Sequence, residues 1–261
     1  MIGRHWESSQ VQSGWMSGWH WLLFYGLVLA AWAGLFALTL PVPEWRNLGL
    51  YGWDLLTALC QVDPSEAGFL PLLWMWLLMS AAMMLPTFVS TLTVYEDLRI
   101  AGAGSRAGFA ALIVGYLAVW SVYSVAAAGL QLALVPLQGD GEIDSRISGA
   151  VFLACVGLYQ FSPLKAACLS RCRNPLAVFM ANWNDSRFRE LWTGIRFGAV
   201  CLGCCWLLMG FALVGGMAGL VWMGLATLVM AVEKLPSAGR FVSTPLGILA
   251  LFGAVVSGLA I

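Results

Sequence analysis

The sequence predicts an all-α fold, a polytopic membrane helix bundle of about seven transmembrane helices with the N-terminus cytoplasmic and the C-terminus outside. Composition is the first observation behind this reading: 61% of residues are hydrophobic and 10% charged, where soluble domains carry about a quarter charged residues. The second is the recurrence of apolar runs near the roughly 20 residues that cross a bilayer core. The third is charge segregation, because the formal net charge is zero yet the 13 basic residues fall almost entirely on one side of the predicted bundle.

The spans lie at about 20 to 41, 69 to 94, 108 to 136, 147 to 164, 195 to 214, 217 to 232 and 243 to 260. They are helices because a backbone in hydrocarbon must satisfy its own polar groups. Trp15, Trp19 and Trp21 at the start of the first span, and Trp45 and Trp53 after it, suit the two membrane interfaces. Its apolar core is long for a signal peptide, so it reads as a retained anchor. In the second span Met75, Met79 and Met83 recur every four residues, Met84 follows, and Pro86 should kink the helix near Ala82 and Met83 and free a carbonyl there. The fifth and sixth spans form a hairpin, since the uncharged run that ends at Val232 is broken by Gly215-Gly216. Pro41, Pro43, Pro136, Pro236 and Pro245 sit at predicted ends, where a missing N–H costs least. Residues 1–19 are then a cytoplasmic N-terminal segment and 20–261 a single transmembrane domain.

On this topology 11 Lys and Arg lie on the N-terminal side and only Arg46 and Arg146 opposite, a strong positive-inside bias. The two outer loops are acidic, with Glu44, Asp54, Asp63 and Glu66 in one and Asp140, Glu142 and Asp144 in the other. A basic cytoplasmic interfacial loop at about 165–194 interleaves Lys165, Arg171, Arg173, Arg187 and Arg189 with Phe179, Trp183, Phe188 and Trp192. That pattern suits a basic interfacial helix lying against anionic lipid, or a docking surface for a cytoplasmic partner. Topology accounts for the basic excess, so no nucleic-acid partner is called for.

Polar and sulfur-bearing residues inside the spans are where function is sought, because they are costly there unless paired or wetted. Cys201, Cys204 and Cys205 share one helix face, and Met209 continues it. Thiolate and thioether ligands select Cu(I), Zn(II) or iron–sulfur centres, while unligated Cys is also an ordinary small core residue. Cys168 and Cys172 form a second pair at helical spacing beside Arg171 and Arg173. A disulfide is disfavoured on a cytoplasmic side. Met83 and Met84 fall at a similar depth and are either thioether donors or packing. Lys165 and Glu233 lie at cytoplasmic helix ends and either pair with each other or reach water separately, with Lys234 as a competitor for Glu233. Gln160 needs a partner, for which Tyr159 or a carbonyl freed near Pro163 would serve.

Trp74 with Met79, Ala81-Ala82-Met83-Met84 and Pro86, then Tyr159-Gln160-x-x-Pro163-Leu164-Lys165-x-x-Cys168-Leu169-x-x-Cys172-Arg173-x-Pro175, then Gly198-x-x-x-Cys201-x-Gly203-Cys204-Cys205-Trp206-x-x-Met209, and Glu233-Lys234 come in order along the chain. These motifs resemble an uncharacterised bacterial family of predicted metal-binding integral membrane proteins, over roughly residues 70 to 240. The resemblance implies a multi-pass protein of the bacterial cytoplasmic (inner) membrane that binds metal.

Two function classes follow. One is a metal handler that holds a soft ion, Cu(I) before others, or passes it to a cytoplasmic donor or acceptor, with Cys201, Cys204, Cys205, Cys168, Cys172, Met83 and Met84 as ligands. The other is a structural or assembly subunit of a larger membrane complex, whose glycines at 194, 198, 203, 210, 215 and 219 permit close helix contact. An enzyme is the lesser reading. Only His5 and His20 exist, which excludes a histidine-rich catalytic centre, and no carboxylate at mid-membrane supports proton coupling.

Overall fold

The computed structural model describes residues 18–39, 68–134, 142–181, 188–210, 220–235 and 239–259. Among these residues the chain is helical, with no strand: α1 Trp19–Thr39, α2 Phe69–Ile100, α3 Arg106–Leu134, α4 Glu142–Gln160, α5 Pro163–Arg173, α6 Pro175–Ala181, α7 Arg189–Gly210, α8 Leu220–Glu233 and α9 Gly239–Leu259. Five of them, α1, α2, α3, α7 and α9, are long and apolar enough to cross a membrane. The pair α4–α5 would make a sixth, bent by 60°. With 14 residues, α8 is shorter than the roughly 20 of a straight crossing.

Several expectations change in detail. The predicted fourth span breaks at Phe161–Ser162, because Pro163 opens a new helix and Ser162 caps it by accepting from the Lys165 N–H at 3.1 Å. The basic stretch at 165–194 is largely helical, in α5, α6 and the start of α7. Glu142 and Asp144 belong to α4 instead of a loop, and Pro245 lies inside α9 rather than at its end. Pro41, Pro43, Pro136, Pro236, the Gly215-Gly216 break, Cys60, Trp45, Trp53, Trp183 and Arg187 lie outside the described residues.

Small residues set the closest contact, between α3 and α7. A Cβ at Gly194 would overlap the Leu112 backbone, one at Gly115 would overlap the backbone of Leu191 and Ile195, and one at Gly198 would come 2.9 Å from Val119. The backbones therefore approach closely, the arrangement that small residues permit in membrane bundles. Gly194→Ala should cost about 1–3 kcal/mol through overpacking, read as a lower unfolding midpoint in mixed micelles; an unchanged midpoint would contradict the tight seam.

Pro86 lies inside α2 and removes one helical hydrogen bond, which leaves the Ala82 carbonyl without its intrahelical donor. The indole of Trp32 in α1 supplies the missing partner, Nε1 donating to Ala82 O at 3.0 Å. Along the α2–α3 seam, Trp76 Nε1 donates to Gln131 Oε1 at 2.7 Å and Ser80 meets Ser124 at 3.0 Å. At the end of α2, Gly102 takes a φ of +86°, the left-handed conformation that turns the chain into α3 without a Cβ penalty.

Candidate metal centre

The α3–α7 contact carries Cys201 of α7 to Tyr116 of α3. The Tyr116 hydroxyl lies 3.0 Å from Cys201 Sγ and donates to the Met84 carbonyl at 3.1 Å. Its ring stacks on Phe88 at 4.1 Å, which fixes the hydroxyl's position. Thr87 joins the same corner by donating to Met84 O at 2.8 Å. The Tyr116 hydroxyl thus ties the sulfur of Cys201 to the backbone of α2.

One face of α7 then presents all three thiols. The Sγ atoms of Cys201, Cys204 and Cys205 lie within 4.8 Å of one another, and each side chain is 2% exposed or less. Cys204 and Cys205 are 3.1 Å apart, and Cys204 donates to the Cys201 carbonyl at 3.1 Å. Sulfurs sharing a metal at about 2.3 Å stand about 4 Å apart in a trigonal site. The cluster matches that spacing once the Cys204–Cys205 pair opens by rotamer adjustment.

Lys234, the residue after α8, supplies the charge. Its Nζ donates to Cys201 Sγ at 2.9 Å and to Thr87 Oγ1 at 2.6 Å, and the side chain is buried. Three thiolates around Cu(I) would carry two net negative charges in an apolar interior, a costly state without a counter-ion. The Lys234 ammonium removes one of them. Beside it lies a small cavity of about 10 Å³ lined by Thr87, Thr91, Tyr116, Cys172, Cys201 and Lys234, about one water-sized sphere.

The other predicted residues divide. Cys172 of α5 is buried and lines that same small cavity beside Cys201, so it stands at the edge of the cluster. Cys168 packs on the α7 backbone, where a Cβ at Gly203 would come 2.7 Å from its sulfur. Met84 is buried and offers its carbonyl to the Tyr116–Thr87 corner. Met83 lines a separate cavity with Met79 and Met209. Cys155 is exposed on α4.

Lys165, Glu233 and Gln160 come together at the α4–α5 bend. Lys165 Nζ lies 2.9 Å from Glu233 Oε2, with both side chains 1% exposed. Gln160 donates to Glu233 Oε1 and accepts from Lys165 Nζ, so its partners are neither Tyr159 nor a carbonyl near Pro163. Tyr159 instead donates to the Gly203 carbonyl. Lys234 does not compete for Glu233, because its Nζ is engaged by Thr87 and Cys201. Arg173 donates through Nε and Nη2 to the Glu233 carbonyl at 3.0 and 2.8 Å and so closes the end of α8. Lys165 and Arg173 therefore serve the bundle interior rather than a lipid-facing surface.

The donor set is three soft, buried thiols. Zinc ordinarily takes four ligands, and among the described residues no histidine or carboxylate joins the three thiols; Cu(I) accepts three sulfurs. A family model described as PpoB2, copper chaperone, matches residues 73–257, well over half of the chain. The chain belongs to the PpoB2 copper chaperone family. The matched span of this PpoB2 member includes every predicted site residue, from Met83 to Glu233, and also Tyr116 and Lys234. No curated protein and no solved structure matches the chain.

Sequence reasoning missed Tyr116, Thr87 and Lys234 as parts of the thiol site. Tyr116 and Thr87 are unremarkable residues within apolar helices, and nothing local marks them. Lys234 carried a signal, as a charge at the end of an apolar run, but its partner lies 33 positions away on another helix.

Proposed function

We propose that this chain holds Cu(I) through Cys201, Cys204 and Cys205 and passes it to a copper-requiring acceptor, with Cys172 beside the cluster as the entry or exit thiol. The observation that carries this is the convergence of three buried sulfurs within 4.8 Å in a member of a copper chaperone family. Lys234 balances the thiolate charge, and Tyr116 and Thr87 hold Cys201 and Lys234 in place. The five long apolar helices support a place in the bacterial cytoplasmic membrane, with the exchange partner on the cytoplasmic side. The protein acts by binding and release, with no catalytic group assigned.

The glycines that motivate the scaffold reading support it less. Gly194 and Gly198 meet α3 of the same chain, so their small size is already used within the protomer.

The test is Cu(I) affinity of the purified full chain, measured by competition with a chromophoric Cu(I) chelator under reducing conditions. Lys234→Met should weaken binding about 10–100-fold, the usual effect of losing a group that supports the ligands, and Lys234→Arg should recover part of it. Wild-type protein that binds no Cu(I) above background would refute the proposal.

A further inference from the structure

Outward from the thiols, along α7 and α2, the bundle contains a second sulfur-lined space. A cleft of about 500 Å³, open on the side of the exposed Trp222, Leu225 and Leu249, has Met79 and Met83 of α2, Met209 of α7 and Met223 of α8 along its walls. All four methionines are buried, none more than 8% exposed. Cys205 and Met209 are four residues apart on one helix face, so the thiol cluster and the cavity share a wall. Met83 is the neighbour of Met84, whose carbonyl binds the Tyr116 hydroxyl that touches Cys201. From Cys201 to Met209 the rise is about 12 Å at 1.5 Å per residue.

Thioethers are neutral, soft ligands that suit Cu(I). An ordinary packing role for methionine is to fill gaps, yet these four, from three helices, border a cavity that stays open. We infer that this methionine-lined cavity is a second Cu(I) station, weaker than the thiol site and reached from it through Cys205 and Met209. The inference rests on the thiol reading for the source of the metal. Transfer exchanges ligands one at a time: a Cu–S bond to a thiolate breaks as a Cu–S bond to a thioether forms. Copper remains Cu(I), and no electron moves. As copper leaves, two of the three thiolates take up protons from solvent and the Cys201 thiolate keeps Lys234 as its counter-charge, while the neutral thioethers leave the copper its single positive charge and so hold it less tightly.

The experiment is Cu(I) titration of the full chain in detergent against chelators of graded affinity, with Cu K-edge spectra at each stoichiometry. Wild type should take two Cu(I), one tight and one weaker. The variant M83L/M209L should keep the tight ion and lose the weaker one, with M79L/M223L as an independent second pair; Leu is near Met in volume, and unchanged monodisperse elution confirms folding. The variant C201S/C204S/C205S should lose the tight ion and keep the weaker one with a thioether spectrum. Wild type that takes a single Cu(I), or methionine variants that still take two, overturns the second station and leaves the thiol site standing. Loss of the weaker ion in the methionine variants, with two ions retained by the serine variant, upholds the cavity and overturns the thiol reading instead.

Discussion

Serine at positions 201, 204 and 205 together should remove the tight Cu(I) class proposed for this protein and leave the fold in place. The loss is complete rather than graded because the three sulfurs act as one unit: each is buried and within 4.8 Å of the other two, so no outside ligand can replace them. A hydroxyl is a hard, neutral donor that a soft metal ion does not choose. The substitution is close in size to the thiol, and the hydroxyls can reuse the existing polar contacts to Tyr116, Lys234 and the Cys201 carbonyl. Metal analysis under reducing conditions should give one tight Cu(I) per wild-type chain and none in the variant. Equal tight binding in both would remove the site.

Glu233→Ala should be the most destabilising single change, costing about 3–5 kcal/mol, because deleting one partner of a buried ion pair strands the other charge. Lys165 is 1% exposed, and without the carboxylate it keeps only the Gln160 carbonyl. The double variant Lys165→Met with Glu233→Leu should recover most of the loss, since a well-packed apolar pair of similar volume is often neutral. Unfolding in mixed micelles reads both. A Glu233→Ala midpoint equal to wild type, or a double variant worse than the single one, would contradict a locked α4–α5–α8 junction.

The membrane-like helices were legible because hydropathy and helix length are local properties of sequence. Pro86 was legible too: a proline within an apolar run frees the carbonyl four residues earlier, and Ala82 is where Trp32 binds. What was not legible depends on how helices cross. Ser162 and Pro163 signal a helix start, yet whether the chain bends there or ends a span is decided by what α5 packs against, here α7. The basic residues at 165–194 read as an interfacial group because sequence records charge but not direction. Lys165 turns inward to Glu233, and Arg173 caps α8.

At the site, the shared face of Cys201, Cys204 and Cys205 followed from 3.6-residue periodicity alone. Cys168 and Cys172 share one helix, as their spacing implies, but their surroundings differ. α5 crosses α7 so that Cys172 lines the small cavity beside Cys201 while Cys168 rests on Gly203. The Lys234–Cys201 contact joins residues 33 apart in sequence, and only the assembled bundle reveals it. Met83 and Met84, adjacent in sequence, serve different places, one at the methionine cavity and one at the Tyr116 corner.

The most direct measurement is the Cu K-edge absorption spectrum of the full chain loaded with one Cu(I). The account predicts a first shell of sulfur alone, with three scatterers at about 2.3 Å that vanish in the triple serine variant. A shell dominated by nitrogen or oxygen, or a sulfur shell that the serine substitutions leave unchanged, would contradict it.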